Sequence, residues 1–276
     1  MSGDNTFSLS TDAARKYESQ KVPAVFEPMA RATLDTLSLP ADAAVIDIAC
    51  GTGIIPRLLA DRLPGVGRIV GTDLNPAMIE VARSTMPPCP HRVDWRACDV
   101  TDLPFDDGTF DIAFCQQGLQ FFPDKPAALR EIRRVLVPGG MIVAACWRKV
   151  SPLLKAVSDS LRRHVSETAA RQALGPYSLT DRDAITSLLT EAGFSVAESS
   201  VLHVDRTLIP AGPAIRRELL ASPYERELLD KGEETVDRVA GEVLAALQPF
   251  RTGDGGDGLT VPEEVNLFRC ENAALQ

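Results

Sequence analysis

No apolar run in this chain approaches the about eighteen residues that a membrane-crossing helix requires, so no span is expected. The opening segment, MSGDNTFSLSTDAARKYESQ, has neither the basic start nor the apolar stretch of a secretory signal, and the expected location is cytoplasmic. Cys-x-x-Cys pairs are missing as well. The six cysteines, at 50, 89, 98, 115, 146 and 270, therefore read as reduced thiols, with no metal site and no disulfide framework expected. A basic surplus is absent: 29 Lys and Arg against 38 Asp and Glu leave a net charge of −9, which repels the phosphates of nucleic acid. Arg130, Arg133 and Arg134, like Arg162 and Arg163, read as solvated helix faces. Histidine is scarce, at three residues, and neither internal repeats nor low-complexity segments occur. A chain of 276 residues with 45% hydrophobic content can still bury a large core, and one domain over 1–276 is expected.

What is present centres on Val45-Ile-Asp-Ile-Ala-Cys-Gly-Thr-Gly-Ile-Ile-Pro56. Val45 to Ala49 have the pattern of a buried strand, followed by two glycines and a helix expected over 54–63. Gly51 and Gly53 let the backbone approach a ligand where a Cβ would clash, and the helix start aims unpaired N–H groups and the positive dipole end at the same place. This is the pattern of a nucleoside-cofactor loop. The dinucleotide signature Gly-x-Gly-x-x-Gly would need a third glycine where Pro56 stands, and the carboxylate of Asp47 repels a diphosphate. These two features count against a nicotinamide oxidoreductase. The same carboxylate suits an ammonium group, and S-adenosylmethionine carries an ammonium and a sulfonium but no phosphate. A second strand, Arg68-Ile-Val-Gly-Thr-Asp73, ends in an acid placed to take both ribose hydroxyls.

Four blocks follow one another in order: VIDIACGTG (45–53), IVGTDLNPAMIEVAR (69–83), RACDVTDLPFDDGTFDIAFC (96–115) and LREIRRVLVPGG (129–140), the last running into the strand MIVAACW (141–147). Through them residues 45–147 resemble the class I S-adenosylmethionine-dependent methyltransferases of the broad methyltransferase-11/25 type, to which the quinone-biosynthesis C-methyltransferases belong. The resemblance implies a doubly wound, Rossmann-like α/β fold with a seven-stranded, mostly parallel sheet of order 3-2-1-4-5-7-6 and an antiparallel last strand. The implied cofactor is S-adenosyl-L-methionine, leaving as S-adenosyl-L-homocysteine. At matching positions it implies Asp47, Cys50, Gly51 and Gly53 at the methionine end, Asp73 at the ribose, and Leu74 and Met78 on one adenine face. Asp99 and the N–H of Val100 fall at the adenine edge, although Asp99 also reads as a turn residue before Thr101. Gln116 through its backbone, and Gln117 or Gln120 through a side chain, would face the methionine and the methyl group. Tyr17 joins the cofactor contacts from the N-terminal segment. The stretch Cys115 to Pro123 lacks the Asn/Asp-Pro-Pro-aromatic motif of base-flipping adenine methyltransferases, which again disfavours nucleic acid, and Phe121 and Phe122 read as helix-core anchors.

Alternation of apolar runs with helical patterns predicts strands near 44–49, 68–73, 93–98, 110–115, 140–147, 194–208 and 259–270. Helices are predicted near 24–38, 54–63, 76–85, 124–136, 152–170 and 181–192. Ala128, Ile132, Val135 and Leu136 share one face of the fourth of these, and Gly139 and Gly140 are expected to cap it. Cys50, Cys98, Cys115 and Cys146 fall at the carboxyl ends of strands, as small packing residues, whereas Cys89 and His91 read as surface. Residues 1–40 form an amphipathic pair of segments broken at Pro23, which either folds over the cofactor mouth as a lid or covers the sheet edge. A core over 41–150 precedes a C-terminal half, 151–276, with a helical insertion at 210–250. In that insertion Val236, Val239, Val243, Leu244 and Leu247 form a core stripe after a break at Ser222-Pro223. The turn Arg251 to Gly258 lacks the twelve-residue loop and closing glutamate of a calcium site.

Methyl transfer asks mainly that two reactants be held in line with water excluded, and a strong catalytic base is dispensable. His164 and His203 are the general-base candidates, each of which equally suits a surface or core position. Phe26, Gln117, Trp147, His164 and Tyr177 are the substrate-pocket candidates. The expected activity is methylation of an oxygen, nitrogen or carbon nucleophile on a small-molecule metabolite by a monomer or homodimer. The alternative is a catalytically silent cofactor-binding regulatory or partner subunit.

Overall fold

The apolar runs become strands with helices on both faces, the burial that parallel strands require. In the computed structural model, which describes residues 10–62, 67–252 and 256–273, the strands are β1 (Ala44–Ile48), β2 (Arg68–Asp73), β3 (Val93–Ala97), β4 (Phe110–Gln116), β5 (Leu136–Trp147), β6 (Phe194–Leu208) and β7 (Leu259–Asn272). They form a seven-stranded sheet of order β3-β2-β1-β4-β5-β7-β6. Pairing is parallel from β3 to β5, and β7 runs antiparallel between β5 and β6. Both the order and the reversed last strand agree with the expectation. Alternation sends Val45, Ile69, Phe114 and Val143 into one apolar layer and Ile46, Val70, Ala113 and Ile142 into the other. Each fully buried valine, isoleucine or phenylalanine among them contributes about 1.5–3 kcal/mol.

The N-terminal helices correct the expected break at Pro23. Helix α1 (Thr11–Lys21) continues through a π-turn over Val22–Phe26 into α2 (Glu27–Asp35), with the N–H of Val22 donating to the Tyr17 carbonyl and that of Glu27 to the Val22 carbonyl. Proline cannot donate to the carbonyl four residues back, and widening the turn to five residues absorbs the lost bond without ending the helix. Helices α3 (Ile54–Arg62), α4 (Pro76–Thr85) and α5 (Lys125–Val135) then alternate with the strands.

Two further boundaries differ from expectation. After α5, Leu136 already pairs with Phe110, and Gly139 and Gly140 lie inside β5 where the register shifts between Phe110 and Ile112. They form an irregularity in the strand, not a helix cap: the last helical carbonyls, of Arg134 and Val135, are taken by the N–H groups of Gly108 and Thr109. The helix expected over 152–170 is two, α6 (Pro152–His164) and α7 (Glu167–Leu174). Ser166 turns extended and its hydroxyl accepts from the Ala169 N–H at 3.0 Å, starting a new helix there.

Helix α8 (Arg182–Glu191) leads into β6, and the insertion holds α9 (Ala211–Leu219), α10 (Glu225–Leu229) and α11 (Glu233–Ala246). Val236, Val239, Val243 and Leu247 are buried, Leu244 half-buried, and α11 packs on α6 and α9. Among the described residues no helix is long and apolar enough to cross a membrane. Residues 1–9 of the N-terminal segment, Leu63 of the helix expected over 54–63 and residues 253–255 of the Arg251 to Gly258 turn lie outside the described residues.

Candidate functional site

The carboxyl ends of β1, β2 and β4 meet at the loop after Ile48. Ala49, Gly51 and Gly53 adopt left-handed backbone, with φ of 54°, 56° and 82°, and the loop is fastened from outside. Asp73 at the end of β2 accepts from the N–H of Gly51 at 2.9 Å and of Asn75 at 2.8 Å, one on each oxygen. Its carboxyl is raised by burial, against the pull of those two amides. Asp47 is 2% exposed, and burial first, then Asp73, pushes its carboxyl well above the usual range.

The two glycines have different reasons. A Cβ at Gly53 would stand 2.4 Å from Cη2 of Trp95, and one at Gly71 2.5 Å from the same indole. At Gly53 a packing reason stands beside the expected ligand clearance: the glycine makes room for Trp95, whose ring lies against the loop. At Gly51 the nearest atoms are those of the Tyr17 ring, at 3.8 and 4.0 Å, so only this glycine leaves space on the open side.

Helices α1 and α2 cross that open side. Tyr17, Val22 and Phe26 from the helical segment, with Asp47, Ala49, Cys50, Gly51, Thr52, Ile54, Ile55 and Gln116 from the core, line a cleft of ≈ 30 Å³. No lysine or arginine lines it. Thr52 is 1% exposed, and its Oγ1, like Oε1 of Gln116, has no hydrogen-bond partner among the described residues. Arg57 on α3 joins cover to loop, donating to Glu18 Oε1 at 2.7 Å and to the Thr52 carbonyl at 2.6 Å. Beside the cleft Leu74 is 51% exposed, whereas Met78 is buried with Ala14 and Val81 against Tyr17. Asp99 accepts on Oδ1 from the N–H and the hydroxyl of Thr101, so its turn role is present, and Val100 is half-buried.

Other candidates sit elsewhere. Gln117, at φ 59°, is turned inward: its Nε2 donates to Met29 Sδ at 3.4 Å, and its Oε1 accepts from Gln120 at 3.0 Å and from the Trp147 N–H at 3.2 Å. The glutamine whose side chain reaches the cleft is Gln116, for which only the backbone was expected. His164 is not at the pocket. It ends α6, about 18 Å along the axis from the helix start, with Nε2 at 2.7 Å from Glu242, which also binds Arg163 and Ser160. His203 is exposed opposite Glu264. Burial holds the thiols of Cys98 up to about 11 and Cys146 up to about 12, protonated at neutral pH.

Behind Phe26 lies a feature the sequence did not disclose. Trp147 and Tyr177, both expected at the pocket, stack on one another next to Phe26, and the Tyr177 hydroxyl donates to Glu263 at 3.1 Å. Glu263 accepts from Arg206 at 2.8 Å, Arg206 lies 3.5 Å from Glu218, and Glu218 lies 2.6 Å from Lys21 of α1. Arg206 and Glu263 interrupt the apolar alternation of β6 and β7 on the buried side, between Val204 and Leu208 and between Val261 and Val265. That interruption is the signal by which period-two reading finds them.

The methyltransferase domain family matches residues 46–144. The chain is 41% identical over 107 residues to 2-phytyl-1,4-naphtoquinone methyltransferase of Thermosynechococcus vestitus, covering 39% of this chain and 47% of that protein, so it spans about half the length of that relative. In structure it is similar to phosphoethanolamine N-methyltransferase 2 of Haemonchus contortus in complex with S-adenosyl-L-methionine, with a TM-score of 0.59 at 19% identity over 96% of this chain and 58% of that one, which shows the fold. It is also 32% identical over 186 residues to demethylmenaquinone methyltransferase of Clavibacter sepedonicus, covering 61% of this chain and 74% of that protein. With this match over most of a relative's length added to the strand order and the loop after β1, the chain belongs to the class I S-adenosylmethionine-dependent methyltransferases.

Proposed function

We propose that the chain transfers a methyl group from S-adenosylmethionine to a nucleophilic oxygen, nitrogen or carbon of a small quinone-type aromatic. One observation carries this reading: a cleft at the strand ends faced by Asp47, fastened by Asp73 and lined by no cationic side chain. A buried carboxylate without a cation is costly, and an incoming ammonium relieves that cost where a diphosphate would increase it. The unpartnered Thr52 Oγ1 and Gln116 Oε1 and the open side of Gly51 fit the same occupant.

In this reading Asp47 holds the ammonium, with Cys50, Gly51 and Thr52 around the methionine end. Asp73 keeps lone pairs for ribose hydroxyls, Leu74 and Met78 flank the adenine, and Asp99 with the Val100 N–H meets its edge. Gly53 acts through Trp95. Gln116, with Gln120 behind it, faces the methyl side. The bound cofactor supplies an electrophilic methyl on sulfonium; the protein supplies alignment and dryness, effects that lower barriers by about 7–11 kcal/mol. Tyr17 and Phe26 occupy the mouth at ≈ 30 Å³, so the N-terminal helices act as a lid that moves aside for loading. The quinone names of the relatives support the acceptor class. Incubation with methyl-labelled S-adenosylmethionine and a panel of quinols tests the reading: label should pass to an acceptor. Calorimetry showing no heat with S-adenosylhomocysteine but uptake of NADH would overturn it.

A further inference from the structure

Four aromatic rings form a series from the cofactor loop into the protein. Tyr17 and Phe26 stack with centroids 5.2 Å apart and planes at 25°, and Trp147 and Tyr177 at 5.5 Å and 29°. The middle pair, Phe26 and Trp147, is looser, at 6.5 Å and 46°. Holding a third ring between two others needs about 7 Å, twice a carbon contact distance. Trp147 is fixed by pairing of β5 with β7, whereas Phe26 closes the π-turn, where the helix is least regular. Any widening of this pair to that spacing would therefore come from the turn and not from Trp147.

Arg206 and Glu263 run along the side of that series. Residues of β6 pack against the π-turn, and the charge of Arg206 acts on the hydroxyls of both Tyr17 and Tyr177, the two ends of the series. Arg206 and Glu263 are 4% and 1% exposed. A buried ion pair is a weak stabiliser compared with apolar side chains of the same volume. What the pair does offer is one donor and one acceptor side by side, a match for a hydroxyl, which both accepts and donates.

We propose that the acceptor's ring enters between Phe26 and Trp147 and that its hydroxyl is read by the Arg206–Glu263 pair, which makes the substrates planar aromatics carrying a free ring hydroxyl. This rests on the methyl-transfer reading above and adds to it the residues that choose the acceptor. An ether on the same ring has no donor and leaves Glu263 without its new partner; a saturated ring of the same size has no face to stack.

Calorimetry of the full chain, with and without S-adenosylhomocysteine, against 1-naphthol, 1-methoxynaphthalene and 1-decalol tests it. Naphthol should bind about tenfold tighter than its methyl ether, and decalol about tenfold weaker than naphthol. Glu263→Leu, which removes the acceptor, should bring the naphthol-to-ether ratio within about twofold while S-adenosylhomocysteine affinity holds, and Phe26→Leu should weaken both naphthalenes alike. If Glu263→Leu does not fold, Arg206→Met/Glu263→Leu removes donor, acceptor and both charges together and gives the same reading. Equal affinity for naphthol and ether in the wild type, a ratio that survives loss of the pair, or decalol binding as well as naphthol overturns the proposal. Failure of S-adenosylhomocysteine to bind would instead fell the methyl-transfer reading, and the naphthalene comparison without it still decides the slot.

Discussion

Replacing Gly53 by alanine separates packing from ligand clearance. The new Cβ would meet Trp95 at 2.4 Å and 2.8 Å and Ala82 Cβ at 3.2 Å. The indole beneath the loop also packs on Gly71, at 2.5 Å from a Cβ position there, so it has little room to yield. Overpacking of this kind costs about 1–3 kcal/mol, and an L-residue at φ 82° adds about 1–2 kcal/mol. A loss near 3 kcal/mol is expected, which for a chain of this size lowers Tm by about 6–12 °C. Thermal and urea unfolding measure it. Gly51→Ala is the control: its Cβ meets nothing closer than 3.8 Å, so only the backbone cost remains, about 1–2 kcal/mol, while S-adenosylhomocysteine affinity drops. A Gly53→Ala/Trp95→Leu pair should recover the steric part, a coupling of about 1–3 kcal/mol. Additivity of those two changes to within about 0.5 kcal/mol, or a Gly53→Ala protein as stable as the wild type, would refute the reasoning.

Asp47→Asn should stabilise the cofactor-free protein at neutral pH. The folded carboxyl is raised, so between the ordinary carboxylate value and the raised one the folded state holds a proton the unfolded chain has lost, and stability falls as pH rises through that window. The variant's advantage should therefore shrink toward about pH 4, and S-adenosylhomocysteine affinity should collapse; thermal shifts and calorimetry across pH check both. Leu74→Ala, at a side chain 51% exposed, should leave stability within about 0.5 kcal/mol yet weaken S-adenosylhomocysteine binding severalfold. Arg206→Met leaves Glu263 and Glu218 buried without their guanidinium and should cost about 3–5 kcal/mol in urea unfolding; a change under about 1 kcal/mol would show that the pair carries no such charge burden.

Strands β1, β2 and β4 were legible because each apolar run is short and bounded, and β1 and β2 end beside Asp47 and at Asp73. Helix boundaries near Ser166 and Pro23 were less so, since a serine and a proline each permit two outcomes locally, and tertiary packing chooses. The loop after β1 was recognisable from its glycines, but the reason for Gly53 was not: Trp95 is forty-two positions away and reaches it only across the parallel pairing of β2 with β3. Gln116 and Gln117 are neighbours, and only the left-handed turn at Gln117 decides which side chain meets the cleft. The Arg206–Glu263 contact joins two strands separated by an entire helical insertion, though each residue stands out on its own strand as a charge at an inward position.

The wide turn at Val22–Phe26 also sets a phase. An α-helix advances about 100° per residue, so the extra residue held there fixes which flank of α1 looks toward Gly51. Tightening that turn into regular α-helix with all its residues kept would rotate the upstream portion by about a quarter-circle. Tyr17 would then look away from the loop. The irregularity is thus as constrained as any side chain here, and a change that regularises the turn acts on the cleft without altering a residue that lines it.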